Sequence, residues 1–282
     1  MRTGSQSLKI LAVALVLCVL WNMALGRLPK PELGETNYTA NRLRIERFLD
    51  SPNPECVIVG TSIAGRLIPS YFEGSGLTNI VNLGLDGASP ITGLQLALRK
   101  TNSPKVILLE AHRLWNPTRA NDTQLISLSE GMDRRLHQSV TITKSESRPT
   151  SVLYSWLRSR QSTVGTPQSG KPQTRNVTEE SKIAQIPHEL RESIQALKAK
   201  GTEVVLLRMP VGREDPADPN YQDDVDRLVR YLGLPSIDLY RKSIHLGDPI
   251  RYSDGLHLAP ESARRLATLL AEQVQQFLKK NR

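Results

Sequence analysis

The chain is poor in the residues that disulfide frameworks and metal centres need. Only two of its 282 residues are cysteine, Cys18 and Cys56, and Cys18 falls inside an apolar N-terminal run. No intradomain pairing and no metal-ligand spacing follows, so a stapled scaffold or a zinc module has no basis in the sequence. No cofactor is implied either. Basic residues outnumber acidic ones, 37 to 28, for a net charge of +9. That balance favours acidic partners such as anionic glycans or phospholipid surfaces. The basic residues are scattered rather than striped, and no nucleic-acid-binding signature accompanies them, so nucleic acid is not an expected partner.

Long apolar runs are equally scarce, and one stands out. Arg2 and Lys9 precede ILAVALVLCVLWNMALG, Ile10 to Gly26, after which the chain turns polar. A charged start, an apolar centre and small residues at Ala24-Leu25-Gly26 describe an export signal or a membrane anchor over residues 1–27. At about 17 residues the run is at the short end for a span. The bulky Leu17 before Cys18 argues against a lipoprotein processing site. The positive-inside rule leaves the N-terminus in the cytoplasm and the domain in the periplasm or at the cell surface. A buried core helix at a domain edge is the alternative. Sequons at Asn37, Asn121 and Asn176 matter only in a eukaryotic secretory pathway.

What remains is rich enough in apolar residues, 39% of the whole chain, to build one sizeable domain. Residues 28–50 read as a lead-in ending in a helix, and 51–282 as the domain. Short apolar runs predict parallel strands at Cys56–Val59, Ile80–Gly84, Val106–Glu110, Glu203–Leu207 and Ser236–Leu239. Helical spacing predicts helices at 89–100, 187–200, 223–232 and 260–280, with Gly201 and Pro260 as end signals. The alternation implies an α/β fold: a doubly wound parallel sheet of about five strands flanked by helices. A polar insertion at about 117–186 follows the third strand. Apart from SVLYSWL it has few apolar runs, and Gln161–Lys171 is of low complexity. It is either a lid over a site or a passive insertion.

In such sheets, sites form beyond the carboxyl ends of the strands. The first strand there runs into Gly60-Thr61-Ser62. Near the C-terminus stands Tyr252-Ser253-Asp254-Gly255-Leu256-His257-Leu258. A serine nucleophile needs a base to take its proton and a carboxylate to orient that base. Ser62, His257 and Asp254 supply those three types, although an isolated Asp-x-x-His is ordinarily surface polarity.

Together these segments resemble the SGNH/GDSL hydrolase superfamily, whose fold is flavodoxin-like. Gly60-Thr61-Ser62 resembles its first block, with Thr61 where Asp is usual, and Val81–Gly87 resembles its second. Asp254–His257 resembles its last. The resemblance implies Ser62 as nucleophile, His257 as base, Asp254 as orienter, and the Ser62 and Gly87 amides as oxyanion donors. The third block departs from the pattern: Asn116 stands where an oxyanion Asn is expected, about two residues late. Arg66 and Arg113 are candidates for holding an anionic substrate, and Arg208-Met209-Pro210 reads as a loop-shaping segment.

The resemblance implies an esterase or O-acyltransferase working through a Ser-His-Asp triad. Its expected substrate is an acylated, most simply acetylated, exported or envelope carbohydrate. An attached domain of this type implies a membrane acyl-transfer partner protein in the transferase case. The competing class is a catalytically weak or inactive SGNH-fold component that binds or assembles an envelope polysaccharide complex. A plain secreted lipase has less support, since no apolar lid or acyl-chain cleft is evident in the sequence.

Overall fold

The computed structural model describes residues 3–25, 27–28, 31, 34–77, 79–112, 114, 118, 120–130, 144–160, 186–212, 221–243 and 249–280. In chain order these hold α1 (Thr3–Leu25), α2 (Asn37–Asp50), β1 (Cys56–Gly60), β2 (Ile80–Gly84), α3 (Pro90–Arg99), β3 (Val106–Glu110), α4 (Ala120–Ser127) and α5 (Pro149–Arg160). They continue with α6 (His188–Ala199), β4 (Glu203–Arg208), α7 (Tyr221–Leu232), β5 (Ser236–Asp238), α8 (Leu239–Ser243) and α9 (Pro260–Lys280). One-turn 3-10 segments lie at Ala64–Arg66, Pro69–Phe72 and Ser145–Ser147.

The five strands form one all-parallel sheet in the order β2-β1-β3-β4-β5. The fold is thus α/β with helices on both faces, as the continuous apolar strands require. Alternate residues of each strand enter opposite cores. Val57, Val59, Ile107, Leu109, Val204 and Leu206 pack with Ile45 and Phe48 of α2 and Leu190 and Leu197 of α6. Ile58, Leu108, Val205 and Leu207 face the other way, against Leu266, Leu270 and Val274 of α9. Burial on both faces removes the polar alternation that a half-exposed strand would show.

Element ends follow local chemistry. Thr36 caps α2 by accepting from the Thr39 amide while the Thr39 hydroxyl accepts from the Thr36 amide, and Ser89 caps α3 through Ile91 N. The last strand is one residue shorter than the predicted Ser236–Leu239. Asp238 Oδ1 accepts Arg241 N at 2.9 Å, so the chain turns into α8 immediately after it. The segment that sequence reading left without regular structure carries α4 and α5. Leu125, Ile126 and Val152 are buried there, and Ser145 donates its amide and hydroxyl to Glu46. The low-complexity run Gln161–Lys171 lies outside the described residues.

Two glycines meet where β2 passes the turn after β1. A Cβ on Gly84 would lie 2.6 Å from Gly65 Cα and nearer still to its nitrogen. Both contacts are backbone and cannot swing aside. Gly84→Ala should therefore destabilise the domain by about 3 kcal/mol, the upper part of the overpacking range. Urea unfolding should show a lower midpoint at unchanged slope.

Candidate active site

The candidate site begins with a carboxylate under the β1 turn. Glu110, the last residue of β3, is fully buried. Its Oε2 accepts the amides of Thr61 at 2.7 Å and Ala64 at 3.2 Å, and its Oε1 accepts the Thr61 hydroxyl at 3.1 Å. The turn after β1 is thus wrapped around one side chain. Gly60 must be glycine here, because a Cβ would run into that carboxyl group and come within 2.6 Å of Glu110 Cβ. Burial pushes the Glu110 carboxyl above its ordinary range, while His112 and the bonds from Thr61 and Ala64 pull it back only in part. His112 is buried alongside, its Nδ1 3.7 Å from Glu110 Oε1.

Ser62 follows, half-buried at the start of the turn. Its Oγ lies 2.7 Å from Nε2 of His257, 195 residues further along the chain. His257 Nδ1 lies 2.6 Å from Asp254 Oδ2. The second Asp254 oxygen accepts the backbone amides of His257 at 2.7 Å and Leu256 at 3.1 Å. Burial alone would raise the Asp254 carboxyl. The bonds from the His257 amide and ring and the Leu256 amide outweigh it and hold the group below its usual value. Asp254 is therefore an anion at neutral pH, and the proton on Nδ1 points at it. That leaves Nε2 with a lone pair towards the Ser62 hydroxyl.

The histidine loop is itself fixed. Tyr252 and Leu258 form an antiparallel bridge, Ser253 N donates to His257 O at 2.8 Å, and Gly255 takes φ of +81° between them. Beyond β4, Gly212 N donates to Leu256 O, and a side chain at Gly212 would strike the Gly255 backbone. The Arg208-Met209-Pro210 segment therefore leads into this support, with Arg208 itself paired to Asp226 and Asp238.

The loop after β2 completes the arrangement. Leu85 N donates to Gly60 O at 2.9 Å, tying it to the serine turn. Arg44, buried in α2, donates to the carbonyls of Gly84 and Gly65 and to Asp86 Oδ1. Asn41 brackets Asp86 from both backbone sides, and Asn82 donates to the carbonyls of Ala64 and Leu67. Gly87 takes φ of +73°. Among the described residues the amides of Ser62 and Gly87 donate to no acceptor.

The structure thus brings Ser62, Asp254 and His257 into one chain of contacts, and places Gly87 on the loop tied to the serine turn. Arg66 lies on the 3-10 segment after Ser62, its Nε buried and, among the described residues, without a hydrogen-bond partner. Asn116 and Arg113 lie outside the described residues. Sequence reading gave no role to Glu110, Arg44, Asn41 or Asn82. The available signals were a carboxylate closing the apolar run VILLE and an asparagine inside IVNLG. Among the described residues no group of three His, Cys, Asp or Glu could hold a metal ion. A cavity of about 650 Å³ opens along the outer edge of β2, lined by Leu43, Arg44, Phe72, Asn82 and Lys144 among others. Ser62 and His257 do not line it, so it adjoins the supports of the Ser62 turn rather than the Ser62–His257 contact. Compared with known proteins, the chain matches no family model and no curated protein.

Glu110 gives two expectations. Glu110→Ala orphans the buried Thr61 and Ala64 amides and should destabilise the fold by about 3 kcal/mol. Glu110→Gln keeps an acceptor for them and should cost less. A carboxyl raised on folding binds its proton more tightly in the native state, so wild-type stability falls as pH climbs from the ordinary value of 4.5 through the folded value. Urea unfolding of both proteins across that range should show Glu110→Gln gaining on wild type as pH rises. A constant difference would mean that Glu110 is not raised.

Proposed function

We propose that the chain is a serine-dependent esterase or O-acyltransferase of the SGNH type. The observation that carries this reading is the Ser62–His257–Asp254 series, at 2.7 and 2.6 Å. Ser62 Oγ attacks the carbonyl carbon of an ester while His257 Nε2 takes the hydroxyl proton. Asp254 holds the imidazole orientation and stabilises the imidazolium. The negative charge that develops on the carbonyl oxygen is met by the uncommitted amides of Ser62 and Gly87, with Asn116 as a third donor. Collapse breaks the ester C–O bond, and His257 returns its proton to the departing alcohol. An acyl-serine remains. Water or a sugar hydroxyl then adds to it by the same steps, with His257 as base, and Ser62 is released.

Hydrolysis and transfer use the same residues, and both fit the resemblance. The apolar N-terminal helix fits a signal sequence or a membrane anchor. We place the domain outside the cytoplasm, acting on acyl groups, most simply acetyl, of exported or envelope glycans. In the transferase case a membrane acyl-transfer protein supplies the acyl group. Arg66, on the 3-10 segment beside the serine turn, is the described candidate for an anionic part of such a substrate. The displaced Asn116 favours the second reading, a non-catalytic binding or assembly component of an envelope complex. Thr61 does not favour it, because its hydroxyl is held by Glu110.

The full chain should label with a fluorophosphonate at Ser62, found by mass spectrometry of the adduct, and Ser62→Ala should not. Asp254→Asn removes the anion facing Nδ1 and should slow labelling and ester turnover by roughly 10⁴-fold with the fold intact. Folded wild type that takes up no probe would leave the binding reading in its place.

A further inference from the structure

The cavity along the outer edge of β2 takes no part in the proposed acyl chemistry. Its volume of about 650 Å³ falls in the range of small-ligand sites, roughly 300–1,000 Å³. Residues of α2, of the 3-10 segment Pro69–Phe72, of β2 and of the Lys144–Ser147 segment line it. Gly65, Arg44 and Asn82 line it as well, and these belong to the bracing of the Ser62 turn.

The chemistry of the lining selects a ligand. Its cations already face acids: Lys144 pairs with Asp50 at 2.8 Å, Arg47 with Glu146 at 3.7 Å, and Arg44 with Asp86 at 3.1 Å. An ionic ligand would have to displace one of these partners, whereas a neutral ligand leaves them in place. The side chains of Lys144, Asp50, Arg47 and Glu146 are 19–30% exposed, so they are open to a ligand yet held by each other. An ammonium, a guanidinium and a carboxylate each offer more hydrogen-bonding positions than one partner fills. Arg47 retains some even though it also donates to the Pro31 carbonyl. Donors and acceptors therefore stand side by side, which suits hydroxyl groups, since each both donates and accepts. Ile68, Pro69 and Ile80, all half-buried, add apolar surface to the same cavity. A ring with C–H groups on its face and hydroxyls on its rim meets both kinds of lining. A peptide strand does not: the Gly84 amide at the end of β2 donates to Asn82 Oδ1 and its carbonyl accepts Arg44. The edge has no open ladder there to extend.

We propose that this cavity is a binding site for a neutral saccharide unit, separate from Ser62. The Lys144–Asp50 and Arg47–Glu146 pairs hold its hydroxyls, and Ile68, Pro69 and Ile80 meet its C–H face. In the enzyme reading the site grips a glycan close to the serine turn; in the binding reading it is the seat of the ligand. It depends on neither, because Ser62 does not line it.

The test titrates the full chain, held in phospholipid nanodiscs free of sugar-headed detergent, by calorimetry. Chitotetraose and mannotetraose are the neutral probes, tetragalacturonic acid the acidic one and the glucosamine tetramer the cationic one. A neutral tetrasaccharide should bind at least tenfold more tightly than either charged one. Lys144→Met combined with Asp50→Asn should weaken that binding about tenfold, the worth of one or two hydrogen bonds. Glu146→Gln, a nearly isosteric change in the other pair, should weaken it several-fold and serves if the double variant does not fold. Circular dichroism establishes that each variant is folded. Preference for a charged probe, undiminished binding in the folded variants, or no binding of any probe overturns the proposal. Fluorophosphonate labelling of Ser62 is read separately, so the catalytic reading and this one fail independently.

Discussion

A carboxylate buried at the end of the third strand is what the candidate site rests on. Leaving water with two oxygens would be costly for Glu110 in isolation. It is tolerated because the turn after β1 brings it two amides and a hydroxyl. The exchange works in both directions. A chain leaving a buried strand has amides that must find acceptors, since no further strand pairing is available to them. Glu110 provides those acceptors at one point, and the backbone curls around it. Gly60 has to lack a side chain, Thr61 has to bring a hydroxyl, and Ser62 is left at the rim with its Oγ towards His257. The nucleophile position is set by a neighbour that has no part in the proposed bond making.

This accounts for what was readable in the sequence. Strands buried on both faces leave continuous apolar runs, so β1 to β4 were visible, as were helices with Ser89 or Pro260 at their starts. The Asp254–His257 pair was readable because one turn holds both residues and its chemistry is local. Glu110, Arg44 and Asn41 act across 49, 40 and 45 positions of sequence. A glutamate ending an apolar run looks like a strand reaching the surface, and an arginine in Asn-Arg-Leu-Arg-Ile-Glu looks like a solvated helix face. Arg44 is in fact buried, because the carbonyls of Gly65 and Gly84 are open to it. Neither fact has a pattern that spacing alone could display. The helices α4 and α5 were missed for a related reason. Their sequences are mostly polar, and what holds Ser145, just before α5, is Glu46 on α2, far away in sequence.

The supports of the serine and the hold on the Lys144–Ser147 segment converge on α2. From its first two turns Asn41 and Arg44 reach the loops after β1 and β2. Later positions, Glu46, Arg47 and Asp50, hold Lys144, Ser145 and Glu146. Between them, Ile45 and Phe48 are buried against the sheet. A helix of 14 residues is a rod of about 20 Å, and its apolar side is locked into the core. That rod sets the spacing between the Ser62 turn and the Lys144–Ser147 segment, where the Ser147 carbonyl accepts the Trp21 ring N–H of α1. On the proposed reading, an enzyme handling acyl groups beside an apolar anchor helix needs that geometry constant rather than averaged over a flexible tether. The polar positions of α2, which read in sequence as a solvated surface, are where that constancy is built.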